Sequence, residues 1–266
     1  MGSPRRQHAV TDVWQYVVEG DGMDTADPKV LAAERWFGYG RWDAPYWFIG
    51  KEPGGSDEPE QYASWQRLGG TALIDCALHD RDCAAGEPGM WHGPAPGPKL
   101  QPTWRPLIAM TLAFEGATEW DDHAGRRYQD ERWGRVDGDT AVLELSAIAA
   151  RSVAQADAMR LMHVPERIST FQKHLADVSP KFVVFYGLGI DPVHKVPYLD
   201  HWRAIAQHPL EVDEPVLLGQ TAFVVQKHPT AHGTTTQHWI DLGRRVRTIL
   251  DDRGPTHDGK SQPERR

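Results

Sequence analysis

The chain is short of cysteine, of long apolar runs and of positive charge, and each shortage narrows what it can do. Only Cys76 and Cys83 occur in 266 residues, too few for a disulfide framework or a four-thiolate cluster, so both read as ordinary thiols with no metal assigned. No run approaches the roughly 18 apolar residues of a bilayer-spanning helix. The opening Met1 to His8 has no apolar segment of the secretory kind, so a soluble, cytoplasmic protein with no membrane partner is expected. Lys and Arg number 29 against 37 Asp and Glu, a net charge of −8. That balance excludes broad nonspecific attraction to nucleic acid and leaves only a local basic rim for phosphate contacts.

What is present is ordinary for a globular protein, at 40% hydrophobic and 25% charged residues. The length suits one large α/β domain, placed at 1–255, followed by a polar tail at 256–266. Eleven tryptophans are many, and rings of this size serve more often as core anchors than as stacking platforms.

Four short β-branched and aromatic runs read as buried strands: Pro45 to Gly50, Ala141 to Leu145, Lys181 to Gly187 and Thr221 to Gln226. Val216 to Gly219 suggests a further short strand. Helical spacing occurs at Asp12 to Glu19, from Pro28 through Phe37, at Ser64 to His79 with Gly69-Gly70 interrupting, and at Pro106 to Phe114. It recurs at Pro165 to Val178, between Asp191 and Trp202, and at His238 to Leu250. The prolines between Gly86 and Pro106 forbid regular structure there, and charged Glu119 to Asp139 reads as a surface excursion. The sum is a three-layer α/β/α sandwich around a four-stranded, mainly parallel sheet.

Two of these strands end in motifs that carry chemistry. Gly50-Lys51-Glu52-Pro53-Gly54-Gly55 follows the first, and His228-Pro229-Thr230 follows the last. In a parallel sheet the carboxyl ends of the strands open on one crevice, so an acid and an imidazole distant in sequence can meet there. Such a meeting has the geometry of an active site.

The order of strands and motifs resembles the uracil-DNA glycosylase superfamily, in which an early strand ends in a Gly-x-acid-Pro loop and a late strand in His-Pro-Ser. The resemblance spans roughly residues 40 to 250 and rests on about a dozen positions. It implies a central strand order of two, one, three, four, and a DNA glycosylase acting in base excision repair that flips uracil or a related damaged base from single- or double-stranded DNA. Hydrolysis would use neither metal nor cofactor. Glu52 would hold the water and stabilise the sugar charge, and His228 would hydrogen-bond the leaving base. Gly50, Lys51, Pro53 and Gly54 would shape the substrate loop, and Ser146 would face the base edge. Either Trp65 or Tyr62 would stack on the base. Pro229, Thr230, His232 and Thr234 would meet DNA. A monomer is expected.

The sequence also departs from the family pattern. Ser146 stands where many relatives carry asparagine, and a hydroxyl makes fewer directed hydrogen bonds than an amide. Gly54 replaces the bulky ring that bars thymine in one branch, and His232 replaces a leucine that fills the gap left by the flipped base. The iron-sulfur cluster of other branches needs four cysteines, which the chain lacks. Two other functions fit the same residues: a non-catalytic binder of bases or damaged DNA, and a hydrolase of free nucleosides or nucleotides, which the negative charge suits.

Overall fold

A computed structural model describes residues 27–54, 58–84, 91–92, 99–149 and 158–252. In chain order these form α1 (Pro28–Arg35), β1 (Gly38–Tyr39), β2 (Tyr46–Gly50), α2 (Pro59–Arg67), β3 (Leu73–Ile74), α3 (Cys76–Cys83), α4 (Trp104–Phe114), α5 (Asp122–Glu131) and β4 (Thr140–Glu144). There follow α6 (Ala158–Leu161), α7 (Val164–Val178), β5 (Phe182–Tyr186), α8 (Tyr198–Ala206), β6 (Val216–Leu218), β7 (Thr221–Gln226) and α9 (Thr236–Asp251). The helix expected at Asp12 to Glu19 and the polar tail lie outside the described residues.

Local chemistry sets many of the boundaries. The side chains of Asp27, Asp75, Asp121 and Thr235 accept backbone N–H groups at the starts of α1, α3, α5 and α9, relieving donors that the first helical turn leaves unpaired. Proline opens α1 and α2, where its fixed φ is already helical. The single helix suggested by Ser64 to His79 is two helices, because Gly69 and Gly70 take φ of 104° and 60° and turn the chain into β3.

The sheet holds seven strands in the order β3-β1-β4-β2-β5-β7-β6. Its centre, β4-β2-β5-β7, is parallel throughout and has the expected order of second, first, third and fourth strand. It is wider than the four strands read from sequence. Antiparallel β6 covers one margin; β1, antiparallel to β4, and β3, parallel to β1, cover the other.

Alternation along the central strands builds two cores. Trp47, Ile49, Leu143, Val183, Phe185 and Val225 face one side, with Phe171 of α7 and Trp202 and Ile205 of α8. Tyr46, Phe48, Val142, Val184 and Val224 face the other, with Leu107 and Met110 of α4, Tyr128 of α5, and Trp239 and Leu242 of α9. Both faces are covered, the condition under which a parallel sheet is stable. The segment read as a surface excursion thus supplies a helix to the second layer: α5 buries Tyr128 and Gln129, and Trp133 follows fully buried. Helices α4 and α9 pack backbone to backbone, since a Cβ on Gly243 would lie 2.2 Å from the Met110 carbonyl oxygen.

Candidate functional site

The four parallel strands end together, and their last residues bring the acid and imidazole motifs to one edge of the sheet. Pairing continues past the strand ends: Leu145 and Ser146 donate their N–H groups to the carbonyls of Gly50 and Lys51 at 2.8 and 2.9 Å. This clamps the Glu52 loop to the end of β4. Gly50 is needed because a Cβ there would fall 2.3 Å from Glu144 Oε2 and 2.6 Å from the Tyr186 hydroxyl.

Glu144 is the residue that the sequence reading missed. It is 8% exposed; Tyr186 donates to its Oε1 at 3.3 Å, and its Oε2 has no hydrogen-bond partner among the described residues. Burial pushes its carboxyl well above the usual range, and nearby Glu52 adds to the effect, against opposing contributions from Tyr186, Arg167 and Lys51. The surroundings of Glu144 therefore favour its neutral form over the carboxylate. The Tyr186 phenol is likewise raised, by burial and then by Glu144. Arg167, also buried, donates to the Glu144 carbonyl at 2.8 Å and lies over the Phe37 ring. Burial lowers its guanidinium to about 9 while Glu144 opposes the shift, so it keeps its charge at neutral pH. Only its burial inside an apparently apolar run marked Glu144 in the sequence, and that signal needs the fold to be read.

From Tyr186 the site continues to His228, whose ring meets the phenol edge-on at 5.9 Å between centroids. The Thr230 backbone N–H donates to His228 Nδ1 at 3.3 Å, and the Thr230 hydroxyl lies 2.9 Å from the same atom. A backbone N–H can only donate, so Nδ1 is the acceptor and the proton of the neutral ring sits on Nε2. Burial, then the Lys51 charge, lowers the His228 pKa. Lys51 itself crosses the backbone at Gly187, where a Cβ would meet its methylenes at 2.8 to 3.1 Å. Its ammonium lies 5.0 Å from the centre of the Tyr198 ring.

Beside the Glu52 loop is a cavity of about 240 Å³, lined among others by Pro53, Gly54, Glu144, Tyr39, His79 and Trp104. That is below the roughly 300–1,000 Å³ of pockets for drug-sized ligands, a scale that suits one heterocycle. His79 donates from Nε2 to the Gln61 carbonyl at 3.0 Å, which leaves Nδ1 to accept from the Tyr39 hydroxyl at 3.0 Å. The Tyr39 ring is thereby fixed against the cavity. His228 is not among the lining residues and stands one ring away, behind Tyr186.

Neither a protein-family model nor a curated protein matches this chain.

Several expected site residues have other duties. Trp65 and Tyr62 are 2% and 1% exposed, inside a cluster with Trp36 and Ile74. Trp65 stacks on Trp36 and donates to the Thr71 carbonyl. Both rings are buried in the core that α1 and β3 close; Tyr39, Trp91 and Trp104 are the aromatic surfaces that line the cavity beside the Glu52 loop. Ser146 is buried, and its oxygen accepts the Ile148 N–H at 3.1 Å, so it shapes the turn and does not line the cavity. The Thr234 hydroxyl donates to the carbonyls of Pro229 and Ala231, and Pro229 is buried; His232 is exposed at the loop tip. Among the described residues one group has metal-ligand geometry, Asp191, His194 and His201, on the connection after β5. No helix among them is long and apolar enough to cross a membrane.

Proposed function

We propose that the protein is an N-glycosyl hydrolase that excises uracil or a related damaged base from DNA. The observation that supports the reading is the gathering, where four adjacent parallel strands end, of Glu52, Glu144, Tyr186 and His228, with Glu144 lining a cavity of single-base size. Brought together this way, two carboxyl groups in unlike environments take unlike roles.

Glu52, on the loop whose Pro53 and Gly54 line the cavity, acts as the carboxylate that orients water and faces the positive charge growing on the sugar. His228, one ring from the cavity behind Tyr186, presents Nε2–H to a base carbonyl that reaches past the phenol and gains electron density, and the Thr230 bonds to Nδ1 hold that tautomer. Glu144, whose carboxyl burial pushes well above the usual range, faces the base, where its neutral form donates and an ionised carboxylate would repel the anion being formed. Tyr39, Trp91 and Trp104 supply the faces on which a flipped base rests, and stacking there is sequence-tolerant because every base has a π-face. The small cavity accommodates the base and leaves the sugar and phosphates outside, near Lys51 and the His232 loop. Residence in the cytoplasm and action as a monomer belong to the same reading.

The test is incubation with end-labelled oligonucleotides holding one uracil, in single and double strands, followed by alkali to cut abasic sites. Expected is cleavage at uracil that falls by about 10²–10⁴ in Glu52→Gln and by about 10²–10³ in His228→Ala. Cleavage unchanged by Glu52→Gln refutes the mechanism. Binding without cleavage gives the site to a sensor of damaged DNA. Base release from free nucleosides alone gives it to a nucleoside hydrolase, which the net charge of −8 favours.

A further inference from the structure

The connection from β5 to α8 holds a cluster of side chains that the reaction above does not use. Asp191 Oδ2 lies 2.8 Å from His194 Nδ1 and 2.9 Å from His201 Nε2, and the three atoms lie within 4.8 Å of one another. We propose that Asp191, His194 and His201 bind a divalent first-row transition metal, zinc foremost, which fastens the β5–α8 connection to helix α8.

The donor set is two imidazole nitrogens and one carboxylate oxygen. Nitrogen ligands favour zinc and its neighbours over magnesium and calcium, which take oxygen. Three protein ligands leave a fourth tetrahedral position open. Zinc at about 2.0 Å from each donor sets ligand atoms about 3.3 Å apart, so the observed 2.8 and 2.9 Å need to widen by only about half an ångström. Each neutral imidazole exchanges its N–H toward Asp191 for a lone pair by moving a proton to its other nitrogen, with no change of charge.

The ligands are also held from behind. Asp191 is fully buried, and its Oδ1 accepts the N–H groups of Val193 and His194 at 2.8 and 3.0 Å, an outer layer of bonds that orients a metal-binding carboxylate. The Asp191 N–H donates to Val196 O, and the Lys195 N–H to Asp191 O, so the loop is set before a metal arrives. His201 is buried on α8, while the His194 side chain is 39% exposed and gives the ion a route from solvent.

The experiment is calorimetric titration of the EDTA-treated, desalted full chain with zinc chloride, with thermal denaturation of the same samples. One equivalent of zinc should bind and raise Tm. His194→Ala, altering a half-exposed ring, should keep the metal-free Tm and lose at least about tenfold in affinity, while His123→Ala on α5 should bind as the unaltered chain does. An anomalous-scattering peak between the three donor atoms in zinc-soaked crystals would agree. Less than one equivalent bound, equal affinity in His194→Ala, or a peak elsewhere would overturn the proposal and leave Asp191 as a cap for its own loop.

Discussion

Replacing Glu144 with glutamine isolates a proton that the fold holds in place. The folded carboxyl titrates well above its usual range because it is buried, with Glu52 nearby, whereas the unfolded one titrates at about 4.3. Between those two values the unfolded chain has lost the proton and the folded protein has kept it. Rising pH therefore favours unfolding: the contribution is full below about pH 4.3 and declines by about 1.4 kcal/mol per pH unit until the folded carboxyl ionises. Each such unit is a sizeable share of the roughly 5–15 kcal/mol that stabilises a domain. Glutamine has the shape of the neutral acid, can accept from Tyr186 and does not titrate. Urea denaturation of both proteins from pH 4.5 to 8 should show the stability of the native chain falling relative to Glu144→Gln. With a slope of about 3 kcal/mol/M, each pH unit moves the relative midpoint by about 0.5 M. A stability difference that stays flat across the range would refute the reasoning, since Glu144 would then be ionised in the folded state and neutralised by Arg167 and Lys51.

Other consequences follow from the same geometry. Trp65→Ala should cost about 3–5 kcal/mol in urea denaturation, whereas Trp104→Ala should weaken oligonucleotide binding, measured by fluorescence anisotropy, with a smaller effect on stability. Gly243→Ala should destabilise by about 1–3 kcal/mol, because the new methyl meets the Met110 carbonyl and α4 and α9 must separate; an unchanged Tm would mean that the pair is loosely packed. The depressed pKa of His228 gives a contribution to stability that is complete above about pH 6.5 and lost as pH falls through the folded value. NMR titration of the ring should show a midpoint below 6.5, and Thr230→Val should move it.

The central sheet was legible because each of its strands is buried on both faces and so appears as an unbroken apolar run, Phe182 to Tyr186 most plainly. The strands β1 and β3 were not, since two residues carry no periodicity. The α5 segment misled because its charged outer face outnumbers the few positions that it buries, Gly125, Tyr128 and Gln129. In the site, Gly50 and His228 could be placed from their position after a strand, but the cavity walls could not. Tyr39, His79 and Trp104 come from three separate elements and meet only through tertiary packing. Trp65 and Tyr62, one of which the family resemblance assigns to stacking on a base, are buried in the α1/β3 cluster, and which way α2 turns its rings is not legible until the helix is packed.

The His228 loop runs straight into α9, a helix of 16 residues and so about 24 Å long, whose Gly243 is seated against the backbone of α4. A rod pinned at its middle cannot slide or swivel with the loop at its end. Any adjustment of the loop to a bound ligand is thus confined to the few bonds between Pro229 and Thr235, and the imidazole behaves as a fixture of the frame.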